Sequence, residues 1–145
     1  MAYSATLRGC DVVYAGSDFV LDATPASVLL ISLLNNRRAH TDDTWPAPVP
    51  DWANPSSLTA RGGWCGDALD PSGNLAGSRL WEAERRVANE ETRQDVQDYV
   101  VEAVQPLESW RGYALRMATQ YLAPTILAYR VQAGSTTVQL TKALS

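Results

Sequence analysis

Few residues in this chain have the means to do chemistry. They are one histidine, His40, two cysteines, Cys10 and Cys65, and two acidic pairs, Asp67 with Asp70 and Glu82 with Glu84. Nucleophilic catalysis of the Ser-His-Asp kind needs a base, and His40 stands alone at the lip of a proline-rich segment, where a solvated loop residue is expected. No GxSxG elbow, Walker loop or GxGxxG turn occurs. The acidic pairs raise glycoside hydrolysis, which uses one protonated and one ionised carboxyl group. Glu82 and Glu84, however, are two residues apart, so on a helix they point in different directions, and Arg79, Arg85 and Arg86 stand close by as ion-pair partners. The run Asp67-Ala-Leu-Asp70-Pro-Ser-Gly-Asn74 has oxygen ligands without the spacing or terminal Glu of a calcium loop, and reads as a turn stabilised by side-chain-to-backbone bonds. The cysteines form no CxxC pair, and with a single histidine they complete no common zinc set, so two free thiols in a reducing compartment are expected. Neither a catalytic residue, nor a metal site, nor a cofactor is expected.

The elements that must position these residues fit one domain. The chain has 145 residues, 46% of them hydrophobic, with 12 basic and 16 acidic residues for a net charge of −4. This balance argues against a nucleic-acid binder, which usually presents a basic face. No apolar signal-like segment follows Met1, and the longest apolar run, Val28 to Leu34, is too short to span a membrane. Neither nucleic acid nor membrane is an expected partner.

The chain is organised around residues 61–81, RGGWCGDALDPSGNLAGSRLW. Glycines that permit positive φ alternate here with large rigid aromatics, a pattern that predicts a compact knot of turns, not a flexible linker. Gly62, Gly63, Trp64, Asp67, Gly77, Ser78 and Trp81 are its structural residues, with Trp64 and Trp81 expected in the core and Asp67 accepting backbone amides from the turns. Arg61 and Arg79 are its cations. Each either reaches a carboxylate of a neighbouring subunit or makes an internal ion pair, for example with Asp67.

Before the knot, residues 11–15 and 19–22 read as short strands joined by a turn. Residues 27–34, SVLLISLL, are predicted as a strand, although an apolar run of this length is ambiguous between strand and helix. Residues 39–60 hold Pro46, Pro48, Pro50 and Pro55 and read as a loop. Its Trp45 and Trp52 either anchor a partner or fold back over this domain's own core.

After the knot, Ser78 is predicted to cap a short helix whose Leu80, Ala83 and Val87 share a face. Asn89 caps the next helix, with Glu90 and Glu91 in its first turn. Val96, Tyr99, Val100, Ala103, Val104 and Leu107 recur at spacings of three and four, while Arg93, Asp95, Gln97, Asp98 and Glu102 form the opposite face. A kink or restart is expected at Pro106, and Gly112 is the terminator. Period-two alternation predicts strands over 113–121, 125–132 and 136–142. The fold class is therefore α+β: a small antiparallel sheet packed against one long helix, with a Gly/Trp-rich turn region and a Pro-rich loop.

The pattern RGGW at 61–64, Gly-Asp at 66–67 and GSRLW at 77–81, followed by a charged helix, resembles the Mu-type phage baseplate wedge protein family. Cys65 stands where that family usually has a second tryptophan. The resemblance covers most of the chain and is strongest from Arg61 to about Gly112. It implies a structural subunit of a contractile phage tail, similar in role to the small sheath-proximal wedge protein of T-even phages. Assembled in the host cytoplasm and located in the virion, it would link wedge and hub or tube proteins to the first sheath ring, in copies around a six-fold axis. Strand addition by sheath is placed at the 136–142 edge, with Val138 and Leu140 there as candidate contacts beside Trp45, Trp52, Arg61 and Arg79. The alternatives are a tail-associated peptidoglycan hydrolase and an assembly factor absent from the finished particle.

Overall fold

The computed structural model describes residues 24–40, 43, 62–71 and 73–144, together with four short strands within residues 2–19. Those strands are β1 (Ala2–Ser4), β2 (Gly9–Asp11), β3 (Tyr14–Ala15) and β4 (Asp18–Phe19). They pair as two separate two-stranded antiparallel ribbons, β1 with β2 and β3 with β4, and do not extend the main sheet. Trp45, Trp52 and Arg61 lie outside the described residues, as does nearly all of the proline-rich stretch.

The long helix α2 (Glu90–Arg111) forms for the reasons the sequence suggests. The Asn89 side chain accepts a 2.8 Å bond from the Thr92 amide, and Glu90 and Glu91 sit where the helix dipole favours negative charge. Gly112 closes the helix in the left-handed region at φ 67°, its amide bonded to Glu108 O. Val96, Tyr99, Val100, Ala103, Val104 and Leu107 are all buried, each large apolar one contributing on the order of 1.5–3 kcal/mol. The helix continues through Pro106 without a restart.

Three strands follow: β5 (Leu115–Ala123), β6 (Ile126–Ala133) and β7 (Thr136–Ala143). They form an antiparallel sheet in the order β5-β6-β7. Leu127, Tyr129, Val131 and Ala133 of the central strand face the core with Val138 of β7. The cross-strand rows Arg116–Gln132–Thr137, Ala118–Arg130–Gln139 and Gln120–Ala128–Thr141 make up the opposite face. The fold is thus α+β, as expected, with a sheet on a long helix.

The segment expected as a strand over 27–34 is instead helix α1 (Ala26–Leu34). Its amide ladder starts at Leu29 N to Pro25 O, 2.9 Å. Helical pitch puts partly buried Ala26 on one stripe with buried Leu29, Leu30 and Leu33, and the stripe packs on α2 and β7. A strand would have placed Leu29, Ile31 and Leu33 on one face; here Ile31 is 54% exposed. This difference can be tested. Leu33→Ala is expected to cost about 2–5 kcal/mol in denaturant unfolding, whereas Ile31→Lys should cost less than about 1 kcal/mol. Equal, large losses at both positions would contradict the helical assignment.

Candidate functional site

The Gly/Trp stretch is built around the strap that leaves α1. Gly77 and Ser78 run beside residues 35–37 as an isolated parallel bridge. Arg37 N donates to Ser78 O at 2.9 Å and Ser78 N to Asn35 O at 2.8 Å. Ser78 is buried, and its hydroxyl donates to Leu33 O at 2.7 Å. It therefore satisfies an orphan carbonyl at the end of α1 and does not cap the helical turn ahead of it. That turn is a short 3-10 helix, Leu80–Arg85, with Arg79 at its N-cap and no side-chain cap bond. Leu80 and Ala83 are buried as expected, but Val87 lies beyond the turn and is 70% exposed.

Gly77 is the tightest point of this packing. Its φ is +95°, and a Cβ there would lie 2.5 Å from Asn35 O, a backbone atom with no room to retreat. Gly62 and Gly63 pass over the Trp81 ring and the Arg38 side chain. Trp81 is half-buried, and its indole N–H donates to Arg37 O at 3.0 Å. Trp64 departs from the expectation of a core residue: it folds back over Gly66 and remains 54% exposed. A second short 3-10 helix, Cys65–Leu69, follows it. Asp67 accepts from the Ala76 amide at 2.9 Å, which is the turn-holding role predicted for it. Asp70 holds the next turn through Asn74.

Arg79 is the centre of the charged groups. Its Nη1 donates to both oxygens of Asp43 at 2.8 Å, and its Nε donates to Glu102 Oε2 at 2.8 Å. Its guanidinium lies 4.6 Å from the centre of the Tyr99 ring. The internal reading of this arginine is therefore the one realised, with Asp43 and Glu102 as its partners in place of Asp67. Glu102 also receives His40 Nε2 at 3.3 Å, so His40 joins the cluster as well as bordering the loop. Arg37 brings its Nε within 3.3 Å of Glu102 Oε1 without hydrogen-bond alignment, and its Nη1 donates to Leu75 O at 2.9 Å. One side chain from the knot thus joins α2 to the start of the proline-rich segment.

A second layer lies beneath. Glu82 is 1% exposed and accepts from Tyr99 Oη at 3.2 Å. Arg86 donates to Tyr99 Oη at 3.1 Å and pairs with Asp95. Burial, reinforced by the nearby Asp43 charge, pushes Glu82 up to about 7. For Asp43 and Glu102 burial pushes upward too, but Arg79 and His40 together, with Arg37 added at Glu102, outweigh it and hold both below the usual carboxylate range. Glu82 and Glu84 do not share a cleft, since Glu84 is exposed and paired with Lys142 Nζ at 2.8 Å.

Two surfaces adjoin this clamp. An open depression of about 730 Å³ is lined by Arg38, Trp64, Cys65, Asp67 and Leu75, among others. The thiol of Cys65 is free and exposed there; the Cys10 side chain is outside the described residues. The second surface is β7. Val138 is 8% exposed and Leu140 is partly buried against the same core. Their expected role as contact side chains needs revision, because strand alternation turns both inward. What β7 offers outward is the backbone edge of the sheet. Sequence reasoning named Arg79 but missed Asp43, Arg37 and Tyr99 as its surroundings, because these come from three separated segments.

Two outcomes follow from this geometry. Gly77→Ala should destabilise the fold by at least about 2 kcal/mol, combining positive-φ strain with a backbone clash; a thermal melt within a degree of wild type would contradict the packing described. Unfolded glutamate ionises near 4.5, so between about 4.5 and 7 folded Glu82 keeps a proton that the unfolded chain releases. This group therefore costs stability progressively as pH rises through that window. Glu82→Gln is expected to raise the melting temperature over wild type by an amount that grows from pH 5 to pH 8, and a pH-independent difference would contradict the assignment.

Comparison with known proteins agrees with the motif. Residues 25–139 match the family model described as phage protein GP46. Over 99 residues the chain is 31% identical to the baseplate protein gp46 of Escherichia phage Mu, covering 68% of this chain and 61% of that protein. The chain thus spans less than two thirds of the length of the curated relative it matches. The matched region contains α1, the glycine knot, the Arg79 clamp and the sheet almost to its end. The resemblance carried by the RGGW, Gly-Asp and GSRLW residues is borne out: this chain belongs to the phage protein GP46 family.

Proposed function

We propose that this chain is a structural subunit of the baseplate of a phage tail, or of a tail-derived particle. The observation that carries this reading is the 31% identity to the Mu baseplate protein over 99 residues, beside a family match across the region that forms the clamp and the core. The arrangement of the motif side chains agrees with a structural role. Arg79, Asp67, Ser78 and Trp81 are all committed to internal bonds that hold the chain's own segments together. Glu82, the carboxyl group best suited by its proton affinity to act as a general acid, is sealed from solvent, which weighs against the hydrolase alternative.

At finer resolution, the subunit is a wedge component that connects wedge, hub or tube proteins to the first sheath ring in copies around the tail axis. The edge of β7, unpaired by any strand among the described residues, is where a sheath strand would be added through main-chain bonds, leaving Val138 and Leu140 in this domain's core. Trp45, Trp52 and Arg61 remain candidate contacts to neighbours. Trp64, 54% exposed beside the open depression, joins them.

Electron cryo-microscopy of intact tails tests both levels. The expected result is density for this chain in symmetry-related copies between the central hub and the sheath, with the β7 edge paired. A complete baseplate without it overturns the structural reading and favours an assembly factor. Copies present with β7 unpaired would remove the sheath link alone.

A further inference from the structure

The outer face of the β5-β6-β7 sheet differs electrically from the rest of the chain. All 16 acidic residues lie at or before Glu108, so the sheet has none. Arg37, Arg79, Arg86, Arg93 and Lys142 each engage a carboxylate of the chain itself. Arg116 and Arg130 have no such partner among the described residues; Arg130 meets only the Gln139 amide, at 3.4 Å. Both are exposed and project outward from adjacent strands, Arg116 opposite Gln132 and Arg130 opposite Gln139. Beside Arg130 the face is low, because Ala118 and Ala128 are small; a shallow hollow of about 120 Å³ runs past Gln120, Arg130 and Gln139. The helices cover only the other side of the sheet.

We propose that this sheet face docks a carboxylate-bearing protein surface, with Arg116 and Arg130 as its charged anchors. The inference rests on the baseplate reading, and the partner is another protein of the particle. An unpaired guanidinium offers a planar fork that matches a carboxylate with two parallel bonds. The glutamine amides around it supply donors and acceptors that need no charge. A net charge of −4 makes other surfaces of this protein repel an acidic partner, so charge complementarity directs such a partner here. Nucleic acid fits the face poorly: a phosphate track draws on several cations, and single strands call for aromatic stacking platforms. The outward rows of this face contain no aromatic residue.

The test uses particles assembled with the full-length chain. The Arg116→Ala/Arg130→Ala double variant should melt as wild type does, since neither residue holds an ion pair among the described residues. Its abundance in purified particles, measured by mass spectrometry, should fall about tenfold, the change that follows from losing roughly 1.4 kcal/mol at the interface. A benzophenone side chain placed at exposed Thr137 in an otherwise wild-type chain should crosslink to a peptide of another protein that contains Asp or Glu. Normal incorporation of the double variant, or the absence of a crosslink from Thr137 in particles that hold the chain, would overturn the proposal. A crosslink to DNA or to a second copy of this chain would overturn it equally. Absence of the wild-type chain from complete particles would overturn the baseplate reading itself, and this inference with it.

Discussion

The fold depends on one mostly buried guanidinium. Arg79 spans Asp43, Glu102 and the face of Tyr99, and so joins three stretches that are far apart in sequence. Such a bridge carries a desolvation cost, offset here because Nε and Nη1 each meet a carboxylate and the guanidinium face meets a ring. Its position is set by backbone a few residues away, where Gly77 lets Ser78 lie against Asn35 closely enough for the strap and the knot to exchange two amide bonds. The glycine requirement and the ion cluster are consequences of the same close approach. Without that approach Arg79 would have no fixed place from which to reach α2.

This arrangement explains why residues that look reactive in the sequence become structural ones. Glu82 acquires the raised proton affinity of a general acid, but it does so by being sealed beneath Tyr99, where no substrate can reach it. His40 contributes to the Glu102 cluster with its ring and to Asp43 with its amide, and so ties the entrance of the proline-rich stretch to the long helix. Perturbed proton affinities mark functional sites often enough to deserve inspection, but ion networks that organise a fold produce the same signature. Here the geometry assigns the perturbation to the network.

Much of the fold was legible because its periodicities are long and clean. The α2 stripe from Val96 to Leu107 and the three terminal strands repeat their patterns over enough residues to exclude the alternatives. The run at 27–34 is too short for this: Val, Ile and Leu in succession satisfy a buried strand as well as a helix. The deciding feature was the spacing of Ala26, Leu29, Leu30 and Leu33, visible only when the run is extended backward to the residue after Pro25. Ser78 misleads for a related reason. A serine ahead of an apolar pair reads as a cap, but its hydroxyl was claimed by a carbonyl 45 positions away. At the site, Arg79 and Asp67 were legible as types in a motif. Their partners were not, because pairing between segments is a property of tertiary packing and leaves no local spacing to read. Val138 and Leu140 do lie on the last strand, where the phase of the alternation turns them inward.

The Arg79 clamp is an energetically coupled unit and not a set of adjacent surface charges. A double-mutant cycle between Arg79→Met and Glu102→Gln, read by chemical denaturation at neutral pH, tests it most directly. The expected coupling is at least about 1.5 kcal/mol, with the double variant less damaged than the sum of the singles. A coupling below about 0.5 kcal/mol, the scale of an exposed ion pair, would contradict it.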